Sequence, residues 1–323
     1  MVACRMNEII KEHQPVLLRE ALTALAIQPD GVYVDATFGR GGHSRALLNQ
    51  LSSRGRLLAM DKDLDAVVYA KKHFSHDARF TIYHGSFSNL KNGAIEQNVL
   101  GKIQGILFDL GVSSPQINDS ARGFSFLRAG RLDMRMDSSQ GIDAATWIAS
   151  VSEQELANVL WKFGEERHSR RIARAIVMTR EKEPITTTDQ LAKIIKAAHP
   201  AWPKNKNPAT QSFQAIRIAI NNELDDLTSG LEQSLEILAV GGRLVVISFH
   251  SLEDRIVKHF IQQHERDESF SANCPKLRKL PIKQNPFCPR LKSVGRAIKP
   301  SEQEVLVNPR ARSAVLRVGE KLS

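Results

Sequence analysis

Three aspartates close three apolar runs: Asp35 after Val32-Tyr33-Val34, Asp61 after Leu57-Leu58-Ala59-Met60, and Asp109 after Ile106-Leu107-Phe108. An acid at the end of a buried parallel strand faces the crevice where open α/β sheets hold ligands, so these carboxylates are candidates for one site. The first is followed by Gly39, Gly41 and Gly42, three glycines in four positions, and then by His43-Ser44-Arg45-Ala46-Leu47-Leu48, which opens a helix. Glycines remove the Cβ atoms that keep a ligand from backbone N–H groups, and a helix start offers further N–H donors to the same space. The spacing is not G-x-G-x-x-G, and a carboxylate at the strand end suits a cation better than a pyrophosphate. Asp61, at the end of the second strand of a βαβ unit, is placed to accept both ribose hydroxyls. Asp35, the glycine loop and Asp61 together suggest a nucleoside carrying positive charge, of which S-adenosylmethionine is an example.

The elements that must position these groups follow in order. A short amphipathic helix to about Ile27 and a turn at Pro29-Asp30-Gly31 lead into the first strand. Beyond Asp61, a helix from Ala66 to Phe74, a strand from Arg79 to Tyr83 and a helix from Asn89 to Leu100 continue the β/α alternation to the Asp109 strand, which argues a doubly wound parallel sheet. Phe87, in the loop after the third strand, could stack on an adenine face or plug the core. From Gln116 to about Ala215 the alternation stops. Ser152-x-x-Glu155 and Thr187-x-x-Gln190 open amphipathic helices, and Arg167, Arg170, Arg171, Arg174 and Arg180 form a basic face suited to solvent or to nucleic acid. This stretch reads as an inserted helical domain over 118–215, with 1–117 and 216–323 forming a discontinuous cofactor-binding domain. Gly241-Gly242 stops a helix before the Leu244-to-Ser251 stretch that resumes the sheet, Arg255 to Lys299 is a basic, irregular segment with eleven Lys or Arg against three acids, and Ala314 to Val318 closes the sheet as an antiparallel edge.

The chain has 323 residues, enough for two domains, and a formal charge of +10 that suits a polyanionic partner. Cys4, Cys274 and Cys288 are widely spaced, which predicts free thiols in a reducing compartment with neither a disulfide framework nor a zinc site. No apolar stretch reads as a signal peptide or membrane span, so a cytoplasmic location is expected.

Blocks spread along the chain resemble the bacterial small-subunit ribosomal RNA cytosine-N4 methyltransferases. They include His13-Gln14-Pro15-Val16-Leu17-Leu18, Asp35 to Ser44, Asp109-Leu110-Gly111-Val112-Ser113-Ser114-Pro115-Gln116, Leu132-Asp133-Met134-Arg135-Met136-Asp137 and Ser248-Phe249-His250-Ser251-Leu252-Glu253-Asp254-Arg255. The resemblance implies a class I methyltransferase, Rossmann-like, with an inserted all-α domain, that uses S-adenosylmethionine to methylate the exocyclic amine of one cytidine in the decoding region of 16S rRNA. Carried over by position, the family's cofactor contacts fall on Gly41, Gly42, His43, Asp61, Phe87, Asp109 and Gln116, with no metal. Arg131 stands where the family usually has proline, Ala129 where it has an acid and Asn207 where it has histidine. All three lie in the insert, so they bear on substrate contacts more than on the cofactor.

Methyl transfer from a sulfonium is an in-line displacement that needs alignment and a suitable field. The cytosine amine is a poor nucleophile, and an acceptor for its proton would activate it. Asp109 is the first candidate for that catalytic role. His250 and Glu253 are the second, with a structural helix-start cap as their alternative. DNA amino-methyltransferases place Asp/Asn-Pro-Pro-Tyr where this chain has Asp109 to Gln116. A nicotinamide dehydrogenase would share the sheet but needs G-x-G-x-x-G, and a non-enzymatic ribosome assembly factor would keep the basic surface without cofactor affinity. Monomer and dimer both remain open.

Overall fold

The computed structural model describes residues 15–200, 207–265 and 288–323. In chain order the elements are α1 (Leu18–Leu25), β1 (Val32–Asp35), α2 (Gly42–Leu48), β2 (Arg56–Asp61), α3 (Leu64–Phe74), β3 (Phe80–His84), α4 (Leu90–Glu96) and β4 (Ile103–Asp109). Six helices follow without a sheet strand between them: α5 (Ser114–Asn118), α6 (Ala144–Ser150), α7 (Glu153–Gly164), α8 (Ser169–Arg180), α9 (Thr188–Ala198) and α10 (Ala209–Asn221). The chain ends with α11 (Glu223–Ile237), β5 (Leu238–Ser248), α12 (Ser251–Glu265), β6 (Leu291–Ser293), α13 (Glu302–Val307) and β7 (Val315–Lys321). No helix among the described residues is long and apolar enough to cross a membrane.

The described chain forms two compact units. The second comprises Lys62–Leu64 and Val112–Leu227, and the first takes the rest. In the first unit seven strands run β3-β2-β1-β4-β5-β7-β6, parallel from β3 to β5 and antiparallel at β7 and β6. The strand order turns back between β1 and β4, which makes the carboxyl ends of those neighbours a topological switch point. Tyr33, Leu57, Ile106, Leu107, Phe108, Val245 and Val246 are fully enclosed, as expected of strands covered on both faces. The second unit has its own core: Leu156 and Leu160 of α7, Ile172 and Ile176 of α8, Leu191 and Ile195 of α9, and Phe213 and Ile216 of α10 meet there. These positions recur at helical spacing, and the N-caps hold as the sequence predicts: Ser152 accepts from Glu155 N, and Thr187 and Gln190 form a full capping box.

Four expectations need correction. Ala314 to Val318 is not the sheet edge, because the three-residue β6 pairs beyond β7. Arg255 does not begin an irregular segment: α12 runs on to Glu265, burying Val257, Phe260 and Ile261, and Arg317 of β7 grips Asp254 through two hydrogen bonds of 2.7 and 3.0 Å. The apolar spacing of that helix was hidden by its charged residues. Gly241-Gly242 does not stop a helix, since α11 ends at Ile237 and β5 starts at Leu238, with Gly241 (φ +78) in the irregularity between the Leu238 and Arg243 pairings. The fourth helix ends at Glu96, not Leu100, and Asn98 adopts a left-handed φ of 55 after it. Cys4, Cys274 and the centre of the basic segment lie outside the described residues, and Cys288 is a free, exposed thiol.

Candidate functional site

The three aspartates stand at the ends of three adjacent strands, β2, β1 and β4. Backbone bonds hold the connecting loops down: Phe38 N–H donates to Met60 O, Ala36 N–H to Leu107 O and Leu110 N–H to Ile247 O, all at 2.9–3.0 Å. Asp109 N–H donates to Thr37 Oγ1 at 2.6 Å, which ties the end of β4 to the loop after β1.

The glycine loop is required by the protein itself as well as by any ligand. Gly41 has φ +72, and a Cβ there would lie 2.6 Å from the Phe38 and Phe74 rings; a Cβ on Gly42 would come within 2.3 Å of Pro15. Gly39 N–H donates to Asp61 Oδ2 at 2.7 Å, so the loop fixes the carboxylate that the sequence assigned to a sugar. His43 is buried, with Nε2 3.2 Å from Val16 O and Nδ1 3.5 Å from Asp109 Oδ2. Burial holds its pKa down at about 4, so the ring is neutral and Nε2–H is the donor to Val16.

Asp109 is the most informative group. A quarter of its side-chain surface reaches solvent, yet Oδ1 is enclosed and accepts no hydrogen bond from a described residue. Burial, and then the Asp35 and Glu253 carboxylates, hold its pKa well above the usual carboxylate range. Beside it, Asp35 is fully buried, accepting from Ser44 Oγ at 2.6 Å and from Thr37 N–H at 3.2 Å, with its pKa pushed up to about 6 by burial. An acid left short of donors in an enclosed crevice fits a cationic ligand, which would supply the missing charge.

Asp35 and His43 have opposite effects on stability. Because the folded Asp35 keeps a proton up to about pH 6, the fold loses stability as pH rises through that range; because the folded His43 stays neutral down to about pH 4, the fold gains stability over the same range. The two slopes offset one another. Asp109, whose pKa is also raised, adds to the Asp35 slope and stays when Asp35 is replaced. Asp35→Asn removes the Asp35 contribution alone, and at pH 8 it is expected to stabilise the fold by up to about 3 kcal/mol, since two pKa units correspond to about that energy. Denaturant melts at pH 5 and pH 8 check this, and a variant weaker than the parent at pH 8 would contradict it.

The remaining predicted residues fall as follows. The Phe87 ring stands edge-on to Phe108 at 5.4 Å and covers Gly230, so one side of it serves the core. Glu253 Oε2 accepts from Phe249 N–H at 2.8 Å and from His250 N–H at 3.3 Å, while Oε1 lies 3.1 Å from His250 Nε2. That pair shapes the turn from β5 into α12, matching the capping alternative. Gln116 belongs to the second unit, where it is buried; its Oε1 accepts from Ser113 N–H at 2.8 Å and its Nε2 donates to Asp63 Oδ2 at 2.7 Å. Arg122 completes this network, donating to Asp63 at 2.9 Å and to the Arg135 and Met136 carbonyls. Sequence reasoning gave neither Asp63 nor Arg122 a role at the site; Asp63 was only an acid two residues past Asp61, and Arg122 only the start of the Arg122-Gly123-Phe124-Ser125-Phe126 block shared with the family. Arg131 is engaged by Asp143 at 2.7 Å, and Asn207 Oδ1 accepts from Ala209 N–H at the start of α10, so both departures from the family pattern have local structural work.

The model of the MraW methylase family matches residues 10–322 of this chain. The ribosomal RNA small subunit methyltransferase H of Legionella pneumophila (strain Paris) is 55% identical over 312 residues, covering 97% of this chain and 99% of that protein. The protein of the same name from Coxiella burnetii (strain Dugway 5J108-111) is 54% identical over 314 residues, covering 97% of this chain and all of its own length. A solved rRNA methylase from Streptococcus thermophilus superposes with a TM-score of 0.41 at 13% identity, covering 95% of this chain and 94% of that one.

Proposed function

The chain belongs to the MraW methylase family, and from that premise we propose that it methylates small-subunit ribosomal RNA with S-adenosylmethionine, at the exocyclic N4 amine of one cytidine in the decoding region of 16S rRNA. The observation that supports this reading best is the enclosed, donor-starved Asp109 Oδ1 beside Asp35 and the glycine loop, which suits a cationic nucleoside. Gly41, Gly42, His43, Asp61, Phe87, Asp109 and Gln116 hold the cofactor, with Asp61 accepting from the ribose hydroxyls. The sheet unit binds the cofactor and the helical unit, built around the 118–215 insert and including Gln116 and all of α10, recognises the substrate. The reaction takes place in the cytoplasm, where the ribosomal subunit is.

When bound, S-adenosylmethionine supplies an electrophilic methyl group on a sulfonium. The chain supplies a field and a proton acceptor. Asp35 and Asp109 would hold the positive end of the cofactor, their negative charge acting with little screening in an enclosed crevice. Asp109 takes the amine proton: a carboxylate whose pKa is raised by burial and by its acidic neighbours is a stronger base than an exposed one. Glu253 positions the turn at the end of β5 through the Phe249 and His250 N–H groups. A cytidine must be unstacked to be reached, which favours a target already exposed by folding of the subunit.

The direct test is to incubate the protein with labelled S-adenosylmethionine and small subunits from cells lacking it, then identify the modified nucleoside by mass spectrometry. N4-methylcytidine is expected, and label on a ribose or a ring carbon would refute the amine assignment. With a net charge of +10, RNA affinity is expected to fall by about 10³-fold or more between 50 and 200 mM salt if six or more phosphates are contacted. Filter binding against a salt series checks this, and affinity indifferent to salt would contradict it.

A further inference from the structure

Helix α8 buries Ser169, Ile172, Ala173 and Ile176 in the core of the second unit. At 100° per residue, Arg170, Arg171 and Arg174 fall on the opposite side, and Arg167, just before the helix, continues the same i, i+3, i+4, i+7 line. All four are exposed. The helix contains no acid, and none of the four makes a hydrogen bond or ion pair with a described residue. This is not the general condition of arginine in this unit. Arg122, Arg131, Arg135 and Arg217 each hold a carboxylate, and Arg180 at the end of the same helix is spent on the Ile148 and Val151 carbonyls, so it does not belong to the basic face that the sequence suggested.

Four like charges lie within eight residues, Arg167 in the turn before α8 and the other three on the helix, and none of them is ion-paired with a described residue. Planar guanidinium groups at all four positions match phosphate oxygens two at a time, a geometry that lysine does not offer. We propose that the Arg167, Arg170, Arg171 and Arg174 face of α8 is a docking surface for the phosphate backbone of the small-subunit rRNA, gripping it without reading sequence. The proposal rests on the functional reading above and adds where the RNA is held. The complementary charge selects a polyanion over an apolar partner, and the sequence-independence follows because phosphate contacts fix register and carry no base information.

The test replaces all four by glutamine, which keeps helix propensity and removes the charge. With small subunits as substrate, KM is expected to rise about 10- to 100-fold at physiological salt, and the slope of log KM against log salt to flatten by up to about 3, which is four contacts at about 0.7 each. The value of kcat, the S-adenosylmethionine affinity and the thermal midpoint should stay at the parent's, and the fourfold lysine variant, which restores the charge without the paired geometry, should recover the salt slope but only part of the KM. A parent that methylates subunits and a glutamine variant with the same KM and salt slope would overturn the assignment while leaving the functional reading intact. Loss of binding to anionic phospholipid vesicles with KM unchanged would overturn it too, giving the face to a membrane. A parent that methylates no RNA would remove the premise and this proposal with it.

Discussion

Asp61→Ala is expected to weaken S-adenosylmethionine binding by about 10²- to 10³-fold, because a carboxylate accepting two ribose hydroxyls contributes about 1.5–3 kcal/mol per charge-assisted bond, partly offset by water in the variant. The structure adds a second reason. Asp61 Oδ2 also accepts from Gly39 N–H at 2.7 Å, so the substitution releases the glycine loop along with the sugar contact. Asp61→Asn separates the two: it keeps an oxygen for Gly39 and one ribose bond, and should retain about a tenfold advantage over alanine, near one such bond's worth. Calorimetric titration reads both. An Asp61→Ala protein that binds with the parent's affinity would mean that the sugar is held elsewhere.

Asp109→Asn is expected to lower kcat by about 10²- to 10⁴-fold, the usual contribution of a positioned general base. Its effect on subunit KM should be small, because the group acts on the amine and not on the RNA backbone. The parent's rate should rise with pH as Asp109 loses its proton, in a range above that of an ordinary carboxylate, and the asparagine variant should lose that dependence. Single-turnover rates with preformed subunit complex check this. Equal rates for parent and variant would leave Asp109 as a cofactor contact alone and move the proton acceptor elsewhere.

The sequence was most informative where one physical pattern determined the structure. Continuous apolar runs ending in acids located β1, β2 and β4 within a residue, because strands covered on both faces have few alternatives. Helical spacing with Ser or Thr at the start likewise found α7 and α9. It failed where charge masked packing, as in α12, whose Val257, Phe260 and Ile261 are separated by Lys258 and His259. It also failed at β6, where three residues of ordinary composition become a strand only because β7 is there to pair with them. At the site, the aspartates and glycines were identified from type and spacing. What each bond does was not: the use of Gly39 N–H on Asp61, the steric need for glycine beside Phe38 and Phe74, and the Asp63–Arg122 support of Gln116 all depend on partners distant in sequence.

Asp35 and Asp109 share the crevice and both resist ionisation, so a ligand bound there is expected to carry positive charge. Titrating the protein with S-adenosylmethionine and with its demethylated, uncharged-sulfur product from pH 5 to pH 8, in buffers of different ionisation enthalpy, tests it. Affinity for the sulfonium should climb with pH and its binding should release protons, while the product should show a weaker dependence, because only the positive sulfur lowers the carboxylate pKa values. No binding of either compound, or identical pH profiles for the two, would contradict the assignment of this crevice to a sulfonium nucleoside.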